Sequence, residues 1–493
     1  MKFENLKFWF IVGSQFLYGP EALKEVEENS KTIVDGMNAS GILPSPIEFK
    51  TLVLTNDDAL NIVKEANYDD NCAGVIVFMH TFSPSKMWIN ALKLLQKPYL
   101  HYHSQFLDYI PNEEIDMDYM NLHQSAHGDR EHAFMAGRLG LARKLVVGHW
   151  KDEDALFEIA EWMRAAAGAA FSKQLRLVRF GDNMRQVGVT EGDKILVQSD
   201  LGWQVNTWAV GDLVSELNKV TDEEIDAQMN IYKENYELDT DDLDSVRYQA
   251  KEQVAIQKLL EEQGANAFSD TFEDLYGLEQ LPGLAVQDLM RQGYGFAGEG
   301  DWKTAALQAI IKFMATGMSG GTAFMEDYTY DFQEGLALGA HMLEVDPTVA
   351  NETAKIQVHE LGIGGKAAPA RLVFEGKAGD ARLVSIIDMG GRLRMVVHEV
   401  ECVLPPQTMP NLPTARVMWK AKPNLEEGAK LWMLTGGAHH SVLTYDVSAN
   451  TLRDWARIMN IEFIHIDENT KADDLEKDLL YSDIIWNLKK VSR

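Results

Sequence analysis

Residues 7–38 read KFWFIVGSQFLYGPEALKEVEENSKTIVDGMN: an apolar run rich in Phe, Ile and Val, a short glycine-bounded loop, then a proline-led stretch with apolar residues at helical spacing. A run that is apolar without alternation is a strand buried on both faces, and a helix directly after it completes one β–α unit. The pattern recurs outward. PIEFKTLVL (46–54), AGVIVFMH (73–80), KPYLHYHS (97–104) and RKLVVGHW (143–150) are further strand candidates, with room for helices between them. Repeated β–α units predict a doubly wound, Rossmann-like parallel sheet that takes ligands near the carboxyl ends of its strands. Gln15, Leu17 and Tyr18 follow the first strand, where such a sheet offers a binding loop. The glycine spacing of VGSQFLYG is not that of a dinucleotide fingerprint.

A second α/β block begins near residue 170, after the helical DALFEIAEWMRAAAGAAF (154–171). QLRLVRFGDNM (174–184) and DKILVQSDLG (193–202) read as its early strands, followed by an acidic helical stretch over 221–264. Residues 281–317 read helix, loop, helix, with Glu299 in the loop and Asp301 as N-cap of the second helix. Beyond residue 320 the texture changes. KIQVHEL, ARLVFEG, ARLVSIIDMGGRLRMVVHEVECVL, ARVMWKAK and AKLWMLTGGAHHSVLTYDV read as strands separated by turns, predicting an antiparallel, barrel-like sheet. A helix (TLRDWARIM), a strand (IEFIHID) and a final helix close the chain. The expected organisation is α/β: two doubly wound domains over 1–170 and 171–320, then a β-rich C-terminal domain over 321–493.

The net charge of −29 repels nucleic-acid phosphates and anionic headgroups, which argues against both as partners. With only two cysteines, Cys72 and Cys402, no disulfide framework or thiolate cluster is on offer. The N-terminus lacks a signal-peptide layout and no apolar run is long enough to span a bilayer, so the cytoplasm is the expected location.

Glu299, Glu326, His341 and His440 are the candidate chemistry. Two carboxylates and two imidazoles cancel the charge of one divalent cation in a mixed oxygen and nitrogen shell suited to polarising a carbonyl or hydroxyl of a neutral substrate. None of their separations is a local ligand spacing, so only the tertiary fold can assemble them. Each also has a plainer reading. Glu299 can be a loop carboxylate capping the next helix, Glu326 an ion-paired acid, and His341 a satisfied interior histidine. Of His439 and His440, neighbours on a strand, one can bind metal while the other faces substrate.

The strings GSQFLYG, TFEDLYGLEQLPGLAVQ, GYGFAGEGDWKTAAL, GTAFMEDYTYDF, GAHMLEV, HELGIGGKAAPARLVF and GGAHH, in one order from residue 13 to 440, resemble the L-arabinose isomerase family. The resemblance implies an aldose–ketose isomerase of arabinose catabolism that converts L-arabinose to L-ribulose; a cis-enediolate route is expected, with hydride transfer between C1 and C2 as its rival, and D-galactose to D-tagatose as a side reaction. It implies one manganese ion per subunit, replaceable by cobalt or iron, and a homo-oligomer, hexamer rather than tetramer. The metal ligands fall on Glu299, Glu326, His341 and His440, with the two glutamates also catalytic. Sugar contacts fall on Gln15, Leu17, Met184, Phe272, Ile363 and His439, with Gln124 and His127 offered by a neighbouring subunit. Phe16 stands where the family pattern has histidine, and the segment from Glu326 to His341 is a couple of residues short. A metal-dependent aldolase or hydrolase could use the same ligands. A non-catalytic sugar-binding protein would share the α/β domains but would not need them.

Overall fold

The computed structural model describes residues 1–362 and 364–491, with side chains to residue 489. The chain divides into two compact units, Met1–Ala170 with Asn450–Ile458, and Phe171–Ala449 with Met459–Arg493. Segments 171–320 and 321–493 thus share one unit, apart from the helix around 450–458.

In the first unit five parallel strands form one sheet: β1 (Lys7–Gly13), β2 (Ile47–Val53), β3 (Cys72–Met79), β4 (Tyr99–His103) and β5 (Lys144–Val147). Their order is β2-β1-β3-β4-β5. β3 is buried at every position, as its unbroken apolar sequence requires. Strand order reverses between β1 and β3, the place where open α/β sheets leave a crevice.

The second unit holds three sheets. Its parallel sheet comprises β6 (Arg176–Phe180) and β7 (Gln204–Trp208), and, beyond the two-residue strand β8 (Glu237–Leu238), β9 (Ala267–Asp270) and β10 (Gly295–Ala297). The order β10-β9-β6-β7 puts a switch point between β9 and β6. Downstream lie β11 (Thr322–Asp331), β12 (Leu336–Ala340), β13 (Lys355–Val358), β14 (Ala370–Val373), β15 (Gly379–Asp388), β16 (Leu393–Val403), β17 (Arg416–Ala421), β18 (His440–Thr444) and β19 (Glu462–Ile466). Pairing runs β15-β18-β11-β12-β17-β16 and returns to β15, so six antiparallel strands close on themselves, with β19 added parallel to β16. Closure removes the exposed edges of those strands. β14, β13 and β8 form the third, small sheet.

Two segments read above as strands are helical. In DKILVQSDLG, Asp193 accepts hydrogen bonds from the amides of Ile195 and Leu196, and Gly202 ends the helix Lys194–Leu201 in the left-handed conformation. In AKLWMLT the helix is Leu425–Thr435, capped by Asn424 and ended by left-handed Gly436. In both, caps outweigh the β-branched and aromatic content. The strand that DKILVQSDLG was expected to supply is β7, a few residues later.

Candidate functional site

Three neighbouring barrel strands and one loop build the site. Glu326 on β11 pairs directly with His440, the first residue of β18, and on its other side with Ala340, the last residue of β12. His341 follows immediately. Strand register therefore sets Glu326, His440 and His341 side by side, although they are distant in sequence. Glu299 arrives from the loop between β10 and the helix Trp302–Met314. It adopts φ = 60°, a left-handed conformation uncommon outside glycine, and its carbonyl accepts the Met184 amide at 2.9 Å. The preceding Gly298 is packed so closely on His341 that a Cβ there would lie 2.9 Å from the imidazole Cε1.

Both imidazoles are oriented from behind. His341 Nδ1–H donates to Glu344 Oε2 at 2.5 Å, and His440 Nδ1–H to Asp301 Oδ2 at 3.1 Å. Each ring thus turns its Nε2 forward: His341 to 4.0 Å from Glu326 Oε2, His440 to 3.7 Å from Glu299 Oε2. The Nε2 atom of His440 is buried with no hydrogen-bond partner among the described residues. A carboxylate behind each imidazole and a free lone pair in front is the arrangement of metal-binding histidines. One ligand atom each from Glu299, His341 and His440 lie within 4.8 Å of one another. Those three fit a single cation, with Glu326 at its edge, and the two carboxylates balance a divalent charge.

The charges respond to this crowding. Burial raises the Glu299 pKa, but the His439 hydrogen bond and the nearby His440, His439 and His341 outweigh it, leaving the carboxyl below its ordinary value. Burial dominates at Glu326, which is raised despite His341. His341 is lifted above the usual imidazole value because Glu344 overcomes its burial. The Glu299 hydrogen bond raises His439.

Beside this cluster lies a cavity of about 210 Å³, lined in part by Met184, Phe272, Leu281, Tyr328, Glu299 and His341. It opens at the carboxyl ends of β6, β9 and β10, where the switch point of the parallel sheet predicts a ligand. Its volume is below the ~300–1,000 Å³ of drug-sized sites and suits a small molecule.

Of the residues singled out from sequence, the fold brings together Glu299, Glu326, His341, His439, His440, Met184 and Phe272. His439 also reaches Glu299, Nε2 to Oε2 at 3.3 Å, because it precedes the strand and escapes its face alternation. Ile363 lies outside the described residues. Gln15, Leu17, Gln124 and His127 belong to the first unit: Gln15 donates to the Tyr18 hydroxyl, Leu17 is exposed, and His127 bonds Gln124 beside the Phe82 ring. Sequence reasoning missed Glu344 and the role of Asp301 behind His440. Glu344 stands three residues after His341, the only signal available for it.

A mixed carboxylate–imidazole cluster, opening on a cavity at a switch point, is the layout of an enzyme acting on a small polar substrate. Domain families described as the L-arabinose isomerase N-terminal, central and C-terminal domains match residues 2–174, 176–317 and 321–462. The L-arabinose isomerase of Thermotoga petrophila is 51% identical over 491 residues, covering 99% of both chains. L-arabinose isomerase 1 of Clostridium acetobutylicum is 51% identical over 97% of this chain and 99% of its own, and the Geobacillus thermodenitrificans enzyme 49% over 97% and 98%. The chain belongs to the L-arabinose isomerase family. A solved glucose-galactose binding protein from Geobacillus stearothermophilus aligns at 12% identity over 63% of this chain and 91% of its own, with a TM-score of 0.15, too slight a likeness to bear on the fold.

Proposed function

We propose that the protein interconverts L-arabinose and L-ribulose by moving a proton between C2 and C1 of the open-chain sugar. The observation that carries this is the union of full-length family membership with two half-buried glutamates facing two braced imidazoles. A divalent cation, manganese by preference with cobalt or iron as substitutes, one per subunit, would supply Lewis-acid stabilisation of the negative charge that develops on the sugar. Glu299, His341, His440 and, at the edge, Glu326 are its ligands. Glu326 takes the proton from C2 and returns it to C1, since it stands outside the tightest group of donors and keeps an oxygen free. Glu299, hydrogen-bonded to His439, serves the hydroxyl protons: O1 gains one as C2 loses its hydrogen, and O2 gives one up as C1 is protonated. Met184, Phe272 and His439 hold the sugar, with Gln124 and His127 offered by a neighbouring subunit.

D-Galactose to D-tagatose follows as a side reaction, because a pocket discriminates weakly against one added hydroxymethyl group. The protein works as a homo-oligomer, a hexamer before a tetramer. An exposed stripe of Leu480, Tyr481, Ile484, Ile485 and Leu488 on the helix Ala472–Val491 supports self-association. Asp473, Asp474, Glu476 and Asp478 near one end of that helix and Lys489 near the other would complement an antiparallel second copy. Buried free Cys72 and Cys402 fit a reducing, cytoplasmic compartment.

The test is isomerisation of L-arabinose with manganese in heavy water. Expected are L-ribulose carrying deuterium at C1, and a Glu326→Gln variant with kcat about 10²–10⁴-fold lower and KM little changed. Cleavage products, or no ketose, would overturn the activity; ketose without solvent deuterium would overturn the proton route.

A further inference from the structure

Some buried carboxyls in this protein are fully satisfied by neighbouring donors. Asp288 accepts from Tyr236, Gln253, Arg291 and Gln292, and Asp301 from Lys303, Thr304 and His440. Asp270 is different. It ends β9 at the switch point, its backbone carbonyl takes the Gly300 amide at 2.7 Å, and its side chain lines the same cavity as Glu299 and His341. It is 6% exposed, its carboxyl makes no hydrogen bond or ion pair with the described residues, and its oxygens open on the cavity instead of being sealed in the core. A polar group buried without a partner is costly, and the cost is recovered where a ligand supplies the partner.

We propose that Asp270 is a sugar-binding residue that hydrogen-bonds a hydroxyl beyond C2 of the substrate and so helps to set specificity. The inference rests on the sugar-isomerase reading of the site. The carbonyl end of the sugar belongs at the Glu299, His341 and His440 cluster, so the rest of its chain must extend along the cavity wall. There Met184, Phe272 and Leu281 offer apolar contact to carbon while Asp270 offers two oxygens. Ionised, a carboxyl accepts from two hydroxyls; protonated, it donates to one and accepts from another. Burial pushes the Asp270 pKa up to about 8, Glu344 adding to the rise, so both forms are accessible near neutrality.

The experiment compares the manganese-loaded wild type with Asp270→Ala and Asp270→Asn. It uses L-arabinose, its 3-, 4- and 5-deoxy analogues, and calorimetric binding of L-arabinitol, which cannot isomerise. Asp270→Ala should raise KM for L-arabinose about 10–100-fold and weaken arabinitol alike, with kcat and manganese affinity little changed. One deoxy analogue should be as poor for the wild type as arabinose is for Asp270→Ala, and removing both partners should cost no more than removing one. Asp270→Asn, which keeps a donor and an acceptor, should recover part of the loss. Unchanged KM in Asp270→Ala, an equal penalty for every analogue, or a loss of manganese affinity would overturn the proposal. Should the wild type neither isomerise arabinose nor bind arabinitol, the parent reading falls as well, which separates the two failures.

Discussion

At the scale of single residues, what sets the candidate site apart is the layer behind it. Glu344 fixes the His341 tautomer and aims its ring, and its carboxylate also accepts the Leu343 amide at 3.0 Å, so it cannot swing away without losing two bonds. Replacing it by glutamine keeps the shape but gives up the charge that makes the imidazole a stronger ligand. Manganese affinity of Glu344→Gln, read by titration without substrate, should fall about 10–100-fold. Affinity equal to the wild type would remove Glu344 from that role. Of the site, Glu299, Glu326, His341 and His440 were legible through motif resemblance rather than through spacing. Of the carboxylates bracing the histidines, Glu344 is marked only by its place three residues after His341, and Asp301 becomes a partner of His440 only once the loop before the helix Trp302–Met314 meets β18.

At the scale of elements, the strands that carry the site were the hardest to read. In β11 the first four residues are buried and the following six intermediate or exposed, so neither alternation nor a continuous apolar run survives along its length. The N-terminal parallel strands, buried on both faces, were plain for the opposite reason. Helices Lys194–Leu201 and Leu425–Thr435 resemble strands in sequence because their apolar content masks the caps Asp193 and Asn424. Packing of the barrel wall then limits what β12 can carry. Gly339 lies opposite Val417, and a Cβ added to it would meet the Trp419 ring at 2.0 Å and Met325 Sδ at 2.8 Å. Gly339→Ala should lower unfolding free energy by about 1–3 kcal/mol, measured in denaturant, by overpacking a wall that Trp419 fills. A variant as stable as wild type would mean that the indole moves aside at little cost.

At the scale of the whole molecule, stability should depend on acid through buried imidazoles, His80 and His398 among them. Burial, helped by His123, holds His80 down to about 4, and burial holds His398 down to about 4 against the opposing Lys422 carbonyl. With folded values below the unfolded ~6.5, the unfolded chain binds more protons between those limits. The contribution is complete above pH ~6.5 and is lost as pH falls toward 4, up to roughly 3 kcal/mol for each histidine. Denaturation midpoints at pH 7 and 5 should separate, and less so in His398→Gln; identical separation would exclude His398. The hairpin of β11 and β12 carries one more consequence. Its pairing runs from Glu326–Ala340 to Asp331–Leu336, so the turn at 332–335 lies five residues, about 17 Å, from the chemistry. Trimming or lengthening that tip should leave the opposite end in place. A tag or reporter peptide grafted at the tip would ride clear of catalysis.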